Sequence, residues 1–432
     1  MNARLRSPLA VAVAMFVSVL ALRPAAETSV AKPEDVGLSS ERLARIGEMM
    51  RRHIAAGEIS GGVTLVARHG RIAHLEAVGV MDADSKKPMT KDAVFRIASM
   101  TKPVTGLAIM MMMEEGKLRI TDPVSKYIPQ FKEMKVAVAL PRQGPPPGAA
   151  GAGGIDEPPA APRFYTVPAE REITVRDLLT HTSGLVSGPM SNADARKPSV
   201  LRKPTETLAD YIPRLAQTAL EFQPGTRWAY SAQAGFDTLG RIVEITSGQP
   251  FDQFLRQRVF DPLGMKDVSF YPTDALEPRM PTVYQIGPKG TMVKNPNSGG
   301  MQSKVYFMGS GGLITTAEEY VKFAQMLENG GELNGKRLLS PRTVSFMSSV
   351  HAPDTLPGRL PGEGYGLSVR VVNHAVAGGS RLSDGSFGWS GAYGTHFWVD
   401  PKEEIVAILM IQTPIRDMRP EFENAVMQSI VK

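Results

Sequence analysis

The chain has 432 residues, 42% of them hydrophobic, enough to bury a substantial core in two or three compact units. It contains no cysteine, which excludes disulfides, thiol nucleophiles, thiolate metal sites and a lipidated amino-terminal cysteine. The formal charge is +6, but Arg4, Arg6 and Arg23 supply three of those charges ahead of the first acidic residue, Glu27. Elsewhere basic and acidic residues are interspersed, so no nucleic-acid-binding stripe is expected.

Residues 1–26 carry two early arginines and then an apolar stretch from Leu9 to Leu22. That stretch is short for a transmembrane helix and fits an export signal, which predicts a periplasmic or secreted protein with no stable membrane span after signal removal. Arg23 and Pro24 crowd the cleavage region, so Ala21 or Ala26 can end the signal. The alternative is a retained amino terminus on a cytoplasmic or membrane-associated protein.

Next, "LSSERLARIGEMMRRHIAAG" puts Leu43, Ile46, Met50 and Ile54 on one helical stripe, with Ser39 or Ser40 as cap. "GGVTLVARHGRIAHLEAVG" alternates and predicts a hairpin turning at His69-Gly70. In the middle of the chain "TDPVSKYIPQF", "TVRDLLTHTSG", "LADYIPRLAQTAL" and "SAQAGFDTLGRIVEITSG" read as helical, the second with Thr174 and Asp177 in capping-box spacing. The Pro/Gly/Ala tract 142–163 and the polar stretch 187–204 read as long loops, and "GPKGTMVKNPNSGG" resembles them. Strands return in "EGYGLSVRVV", "GTHFWVDP" and "EEIVAILMIQ", and a helix closes the chain from Pro420 to Val431.

This order predicts an α+β fold. An antiparallel sheet flanked by helices would be built from both chain ends (36–120 and 305–432), with an inserted helical domain (121–304). A cleft between such units is the usual place for a ligand.

None of the seven histidines makes a His-Glu-x-x-His zinc pattern, and neither a Walker A loop nor a Gly-x-Gly-x-x-Gly fingerprint occurs. No metal or cofactor is therefore expected. Gly388-Trp389-Ser390-Gly391-Ala392 fails the Gly-x-Ser-x-Gly elbow at its last position. His181, in "LLTHTSGL", is expected to cap carbonyls at a helix end rather than to act as a base.

One pattern remains. "FRIASMTKPVTG" sets Ser99 three residues before Lys102, with Pro103 immediately after. A second Ser-x-x-Lys, Ser29 to Lys32, lies in a polar leader and reads as chance. Proline is tolerated only near a helix's first turn, so the helix through "VTGLAIMMMMEEG" begins at about Ser99. Ser99 then sits at the positive end of the helix dipole, with Lys102 one turn on along the same face. The following run is nearly all apolar, as a helix buried on most sides requires, and an amine entering it is desolvated. On the local pattern alone, a lysine that snorkels to solvent remains the alternative.

"FRIASMTKPVTG", "ITVRDLLTHTSGL", "FQPGTRWAYSAQAGFDTLGRIVE" and "FGWSGAYGTHFWVDP" occur in the order and contexts of the serine β-lactamase-like superfamily. From about Val36 onward the chain resembles the family VIII carboxylesterases, which share the fold of class C β-lactamases and penicillin-binding proteins. The resemblance implies Ser99 as nucleophile, Lys102 as its amine partner and Tyr230 as the phenol completing the trio. It implies an oxyanion hole of the Ser99 and Ala392 amides, and substrate contacts from Trp389, Ser390 and Gly391. Two departures bear on the substrate. Where lactamases and peptidases carry Lys-Thr-Gly, this chain has Trp389-Ser390-Gly391, and an indole offers an apolar wall instead of a cation. The third position of Tyr-x-Asn is Ala232. Both favour a small-molecule ester that is neutral and fairly apolar. The rival readings are a β-lactamase or D-amino peptidase, and a non-catalytic scaffold; the oligomeric state is left open.

Overall fold

The computed structural model describes residues 30–141, 162–288 and 290–432. The expected export signal and nearly all of the 142–163 tract lie outside them. Helix α1 (Ser40–Ala55) begins where Ser39 accepts the Arg42 N–H, and it buries Leu43, Ile46 and Met50. The hairpin of β1 (Gly61–Arg68) and β2 (Arg71–Gly79) turns at His69 and Gly70, both left-handed (φ 51° and 71°), as a two-residue turn between right-twisted strands requires. Helix α2 (Thr101–Glu114) follows a single 3-10 turn at Ala98–Met100. Further along lie α3 (Ala234–Ser247) and α4 (Ala317–Glu328).

The closing segment supplies five strands and a helix. These are β3 (Glu363–Tyr365), β4 (Arg370–Val372), β5 (Phe387–Ser390), β6 (His396–Asp400), β7 (Ile405–Ile411) and α5 (Met418–Met427). Seven strands form one antiparallel sheet in the order β3-β4-β5-β6-β7-β1-β2, so the first hairpin docks on the last strand and both chain ends build the sheet. Alternation along the strands sorts the two faces. Val66, Trp398, Ile405 and Leu409 meet α1 and α5, whereas Val63, Leu65, Phe397 and Ile408 meet α2 and α4. The second cluster continues into Phe236 and Leu239 of α3, so one core reaches from the sheet into the inserted segment.

Several local expectations are corrected. "EGYGLSVRVV" is two short strands of a hairpin, because Ser368 adopts φ 78° and reverses the chain. Residues 187–204 contain a helix, Pro189–Ala195, started by proline, and "GPKGTMVKNPNSGG" contains a strand, Met292–Lys294. "TDPVSKYIPQF" forms 3-10 turns only, its prolines interrupting an α ladder. Among the described residues no helix is long and apolar enough to cross a membrane.

The hairpin carries a pH-sensitive group. His74 on β2 shares a hydrogen bond with Thr64 Oγ1 on β1, and its pKa falls to about 4, chiefly through burial. The unfolded chain binds this proton from about pH 6.5, so the stability it contributes is present above that value and is lost as pH falls. Between pH 7 and 5, the stability advantage of the parent over His74→Gln is expected to shrink by about 2 kcal/mol. Urea midpoints at the two pH values check this; an unchanged difference refutes it.

Candidate active site

Ser99 stands in the 3-10 turn that leads into α2, and three contacts fix that turn. Tyr320 of α4 donates its hydroxyl to Met100 O at 2.8 Å, Thr101 Oγ1 accepts the Leu313 N–H at 3.2 Å, and Thr395 Oγ1 donates to Ile97 O at 3.2 Å. Ala98, just before the serine, holds φ 43°, a left-handed conformation that costs a non-glycine residue roughly 1 kcal/mol and is sustained by this packing. Pro103 falls in the first turn of α2, where its missing N–H costs nothing.

Lys102 is fully buried, which removes the snorkelling alternative. Its Nζ lies 3.2 Å from Ser99 Oγ, 2.8 Å from Ala232 O and 2.8 Å from Ser310 O. Ala232, which lacks the amide side chain of the Tyr-x-Asn pattern, thus engages the amine through its backbone. Tyr230 donates its hydroxyl to Ser99 Oγ at 2.7 Å, and Lys102 Nζ sits 4.9 Å from the centre of the phenol ring. Ser231 Oγ accepts the Gly235 N–H, tying Tyr230 to the start of α3. The trio named from sequence therefore meets on one hydroxyl.

His181 does not cap carbonyls. The helix before it runs only Val175–Leu179, and a left-handed backbone (φ 58°) turns the ring inward. Its Nδ1 accepts the Ser231 N–H at 3.2 Å, and its ring lies 4.7 Å from that of Tyr230. Burial, reinforced by the Lys102 and Arg359 charges, pushes its pKa well below 6.5 and keeps it neutral. It serves here as an aromatic support.

Ser99 and Tyr230 open onto a cavity of about 300 Å³ also lined by Trp389, Ser390, Gly391 and Ala392 from the end of β5 and its turn. Every site residue named from sequence except the buried Lys102 borders it. Sequence reasoning missed Arg370 and Arg419, which also line it. Arg370 is matched by Glu363 at 2.9 Å and Glu423 at 2.8 Å, so its charge is already compensated. A larger cleft of about 930 Å³ around His69 and Glu328 shares no residue with this cavity.

Asp237 was also missed, although an acidic residue in the first turn of an apolar helix is a readable signal. Fully buried on α3, it accepts the Tyr306 hydroxyl at 2.8 Å and the Ser310 N–H at 2.9 Å, and burial pushes its pKa up. It thereby anchors the backbone at Ser310, the residue whose carbonyl holds Lys102. Asp237→Asn turns one of these acceptors into a donor, so either the Ser310 N–H faces an N–H or the buried Tyr306 hydroxyl loses the acceptor for its hydrogen. The expected result is a loss of about 1–3 kcal/mol in stability and a roughly tenfold lower kcat with KM little changed. Urea unfolding and ester kinetics on the same preparation check both; unchanged kcat refutes the positioning role.

A family model described as Beta-lactamase matches residues 46–432. The chain is 35% identical over 375 residues to protein Rv1367c of Mycobacterium tuberculosis, covering 83% of this chain and 86% of the relative. It is 27% identical over 398 residues to esterase EstB of Burkholderia gladioli, covering 87% and 91%. Among solved structures, EstCE1, described as a hydrolase with promiscuous acyltransferase activity, superposes with a TM-score of 0.71 at 26% identity, covering 90% of this chain and 99% of that one. The sheet built from both chain ends, the serine at the head of a buried helix and these likenesses agree: the chain belongs to the beta-lactamase family, as an esterase-like member of the serine β-lactamase-like superfamily.

Proposed function

We propose that the protein is a serine carboxylesterase of the family VIII type, hydrolysing short-chain, fairly apolar esters through an acyl-Ser99 intermediate. The observation that carries this reading is a single hydroxyl flanked by a phenol at 2.7 Å and a buried amine at 3.2 Å, beside a small cavity walled by an indole. As Ser99 Oγ attacks the ester carbonyl, its proton passes to the Tyr230–Lys102 pair, and that pair returns it to the departing alcohol oxygen. Water then attacks the acyl carbon, and the same pair takes its proton and restores the Ser99 hydroxyl. The Ser99 and Ala392 amides meet the developing oxyanion. The likeness to EstB and EstCE1 supports ester chemistry.

A second reading, a β-lactamase or D-amino peptidase, draws on Arg419. It is 40% exposed at the cavity wall and touches Glu363 and Glu423 only at 3.9 and 4.0 Å, which leaves it able to meet a substrate carboxylate. Competition between a butyrate ester and a cephalosporin separates the two, with mass spectrometry locating the acyl group. The expected result is faster ester turnover and an acyl mass on the peptide bearing Ser99. Faster lactam turnover overturns the substrate class, and no acylation by either compound leaves a non-catalytic scaffold.

A further inference from the structure

Ser390 and His396 are direct partners across β5 and β6, and Ser390 Oγ lies 2.8 Å from His396 Nδ1. The other ring nitrogen, Nε2, lies 3.1 Å from Glu423 Oε1 on α5. Against the effect of burial, the His396 hydrogen bond and the Arg370 guanidinium at 2.8 Å hold the Glu423 pKa below the usual carboxylate range, so it is a carboxylate and only accepts. Nε2 therefore carries a hydrogen. His396 is fully buried, and desolvation outweighs Glu423 to lower its pKa, leaving a neutral ring with one hydrogen. That hydrogen is already placed, so Nδ1 is bare. The hydrogen between Nδ1 and Ser390 must then come from the serine.

The consequence falls on the cavity. A free serine rotates to donate or accept and discriminates little. Ser390 has committed its proton to His396, so what it offers the space shared with Ser99 and Tyr230 is an oxygen lone pair. An ether or carbonyl oxygen placed there meets only repulsion, whereas an O–H or N–H gains a partner. We propose that Ser390 is a fixed hydrogen-bond acceptor that selects esters carrying a hydroxyl or N–H close to the reacting carbonyl, with His396 and Glu423 as positioning residues. This rests on the esterase reading and names its substrate class. Arg370 secures the far end, donating to Glu423 at 2.8 Å and to Glu363 at 2.9 Å.

The test uses two isosteric pairs: 2-hydroxyethyl butyrate with n-propyl butyrate, and methyl 3-hydroxybutyrate with methyl 3-methylbutyrate. Ratios of kcat/KM are normalised to alkaline hydrolysis rates, so intrinsic reactivity drops out. The parent is expected to prefer the hydroxyl-bearing member of at least one pair by about 3- to 10-fold, the worth of one neutral hydrogen bond. Ser390→Ala is expected to bring that ratio to about one and His396→Phe to lower it by freeing the hydroxyl, while Ser390→Thr retains it. A merely structural role would scale both members of a pair alike. Parent ratios near one in both pairs, or a preference that survives Ser390→Ala, overturn the inference; the parent ratio decides even where a variant fails to fold. If none of the four esters turns over while a cephalosporin does, the esterase reading fails instead.

Discussion

A Lys102→Met variant is expected to lose about 10³-fold in kcat/KM on a butyrate ester, within the range for removing a positioned proton-transfer group. Its unfolding free energy is expected to stay within about 2 kcal/mol of the parent's. The two outcomes separate because of where the side chain lies. Every α2 residue from Thr101 to Met112 is buried, and Lys102 Nζ approaches the rings of Tyr230 and Phe236 at 4.9 and 5.5 Å. A thioether of similar length fills that space and makes favourable sulfur–aromatic contacts. What it cannot do is exchange a proton with Ser99. The loss of donors at Ala232 O and Ser310 O is a real cost, but an under-satisfied carbonyl is tolerated better than an orphaned N–H, and the desolvation of an amine is relieved. Ester kinetics and urea unfolding on one preparation decide the matter. If stability instead falls by several kcal/mol and activity tracks only the folded fraction, Lys102 is a strut between α3 and the Ser310 segment, and the mechanism fails.

The sheet and the nucleophile's helix were legible because period and punctuation agree there. The β-rich run broken at His69-Gly70, the Ser39 cap and Pro103 each act through neighbours in sequence, so short-range rules reach them. The same holds for Thr174 and Asp177, whose reciprocal hydrogen bonds form the expected box. The misses depend on contacts far along the chain. His181 looks like a helix-end residue, yet its role is set by Ser231 and the Tyr230 ring about fifty residues on. Arg370 and Arg419 enter the cavity through partners at Glu363 and Glu423, and nothing local marks either arginine as facing Ser99 rather than water. The substrate argument from the missing edge-strand lysine was therefore incomplete. Cations do stand nearby: Arg370 is closely paired with two carboxylates, whereas Arg419 is not, so the proposed preference for a neutral ester rests on the Trp389 wall and on the compensated charge of Arg370 alone.

Gly391→Ala should be the other severe lesion, and its cause is backbone proximity. The Gly391 N–H binds Thr395 O at 2.7 Å, and this closes the turn that presents Ala392 beside Ser99. A Cβ at position 391 would overlap both the Thr395 hydroxyl and the Ile97 carbonyl oxygen. Ile97 begins the strained turn before Ser99, so the clash pushes the two proposed oxyanion donors apart rather than displacing a flexible side chain. Loss of one such donor typically lowers kcat by about 10²- to 10³-fold, and a comparable fall is expected with KM little changed. The accompanying loss of stability is expected to be about 1–3 kcal/mol, as for overpacking elsewhere in cores. Adding Thr395→Ala removes only the softer of the two clashes. Because the Ile97 carbonyl remains, the double variant should recover less than a tenth of the lost kcat. Activity within threefold of the parent for the single variant, or full recovery in the double, would show that the β5 turn can move without cost and that Ala392 does not bind the oxyanion.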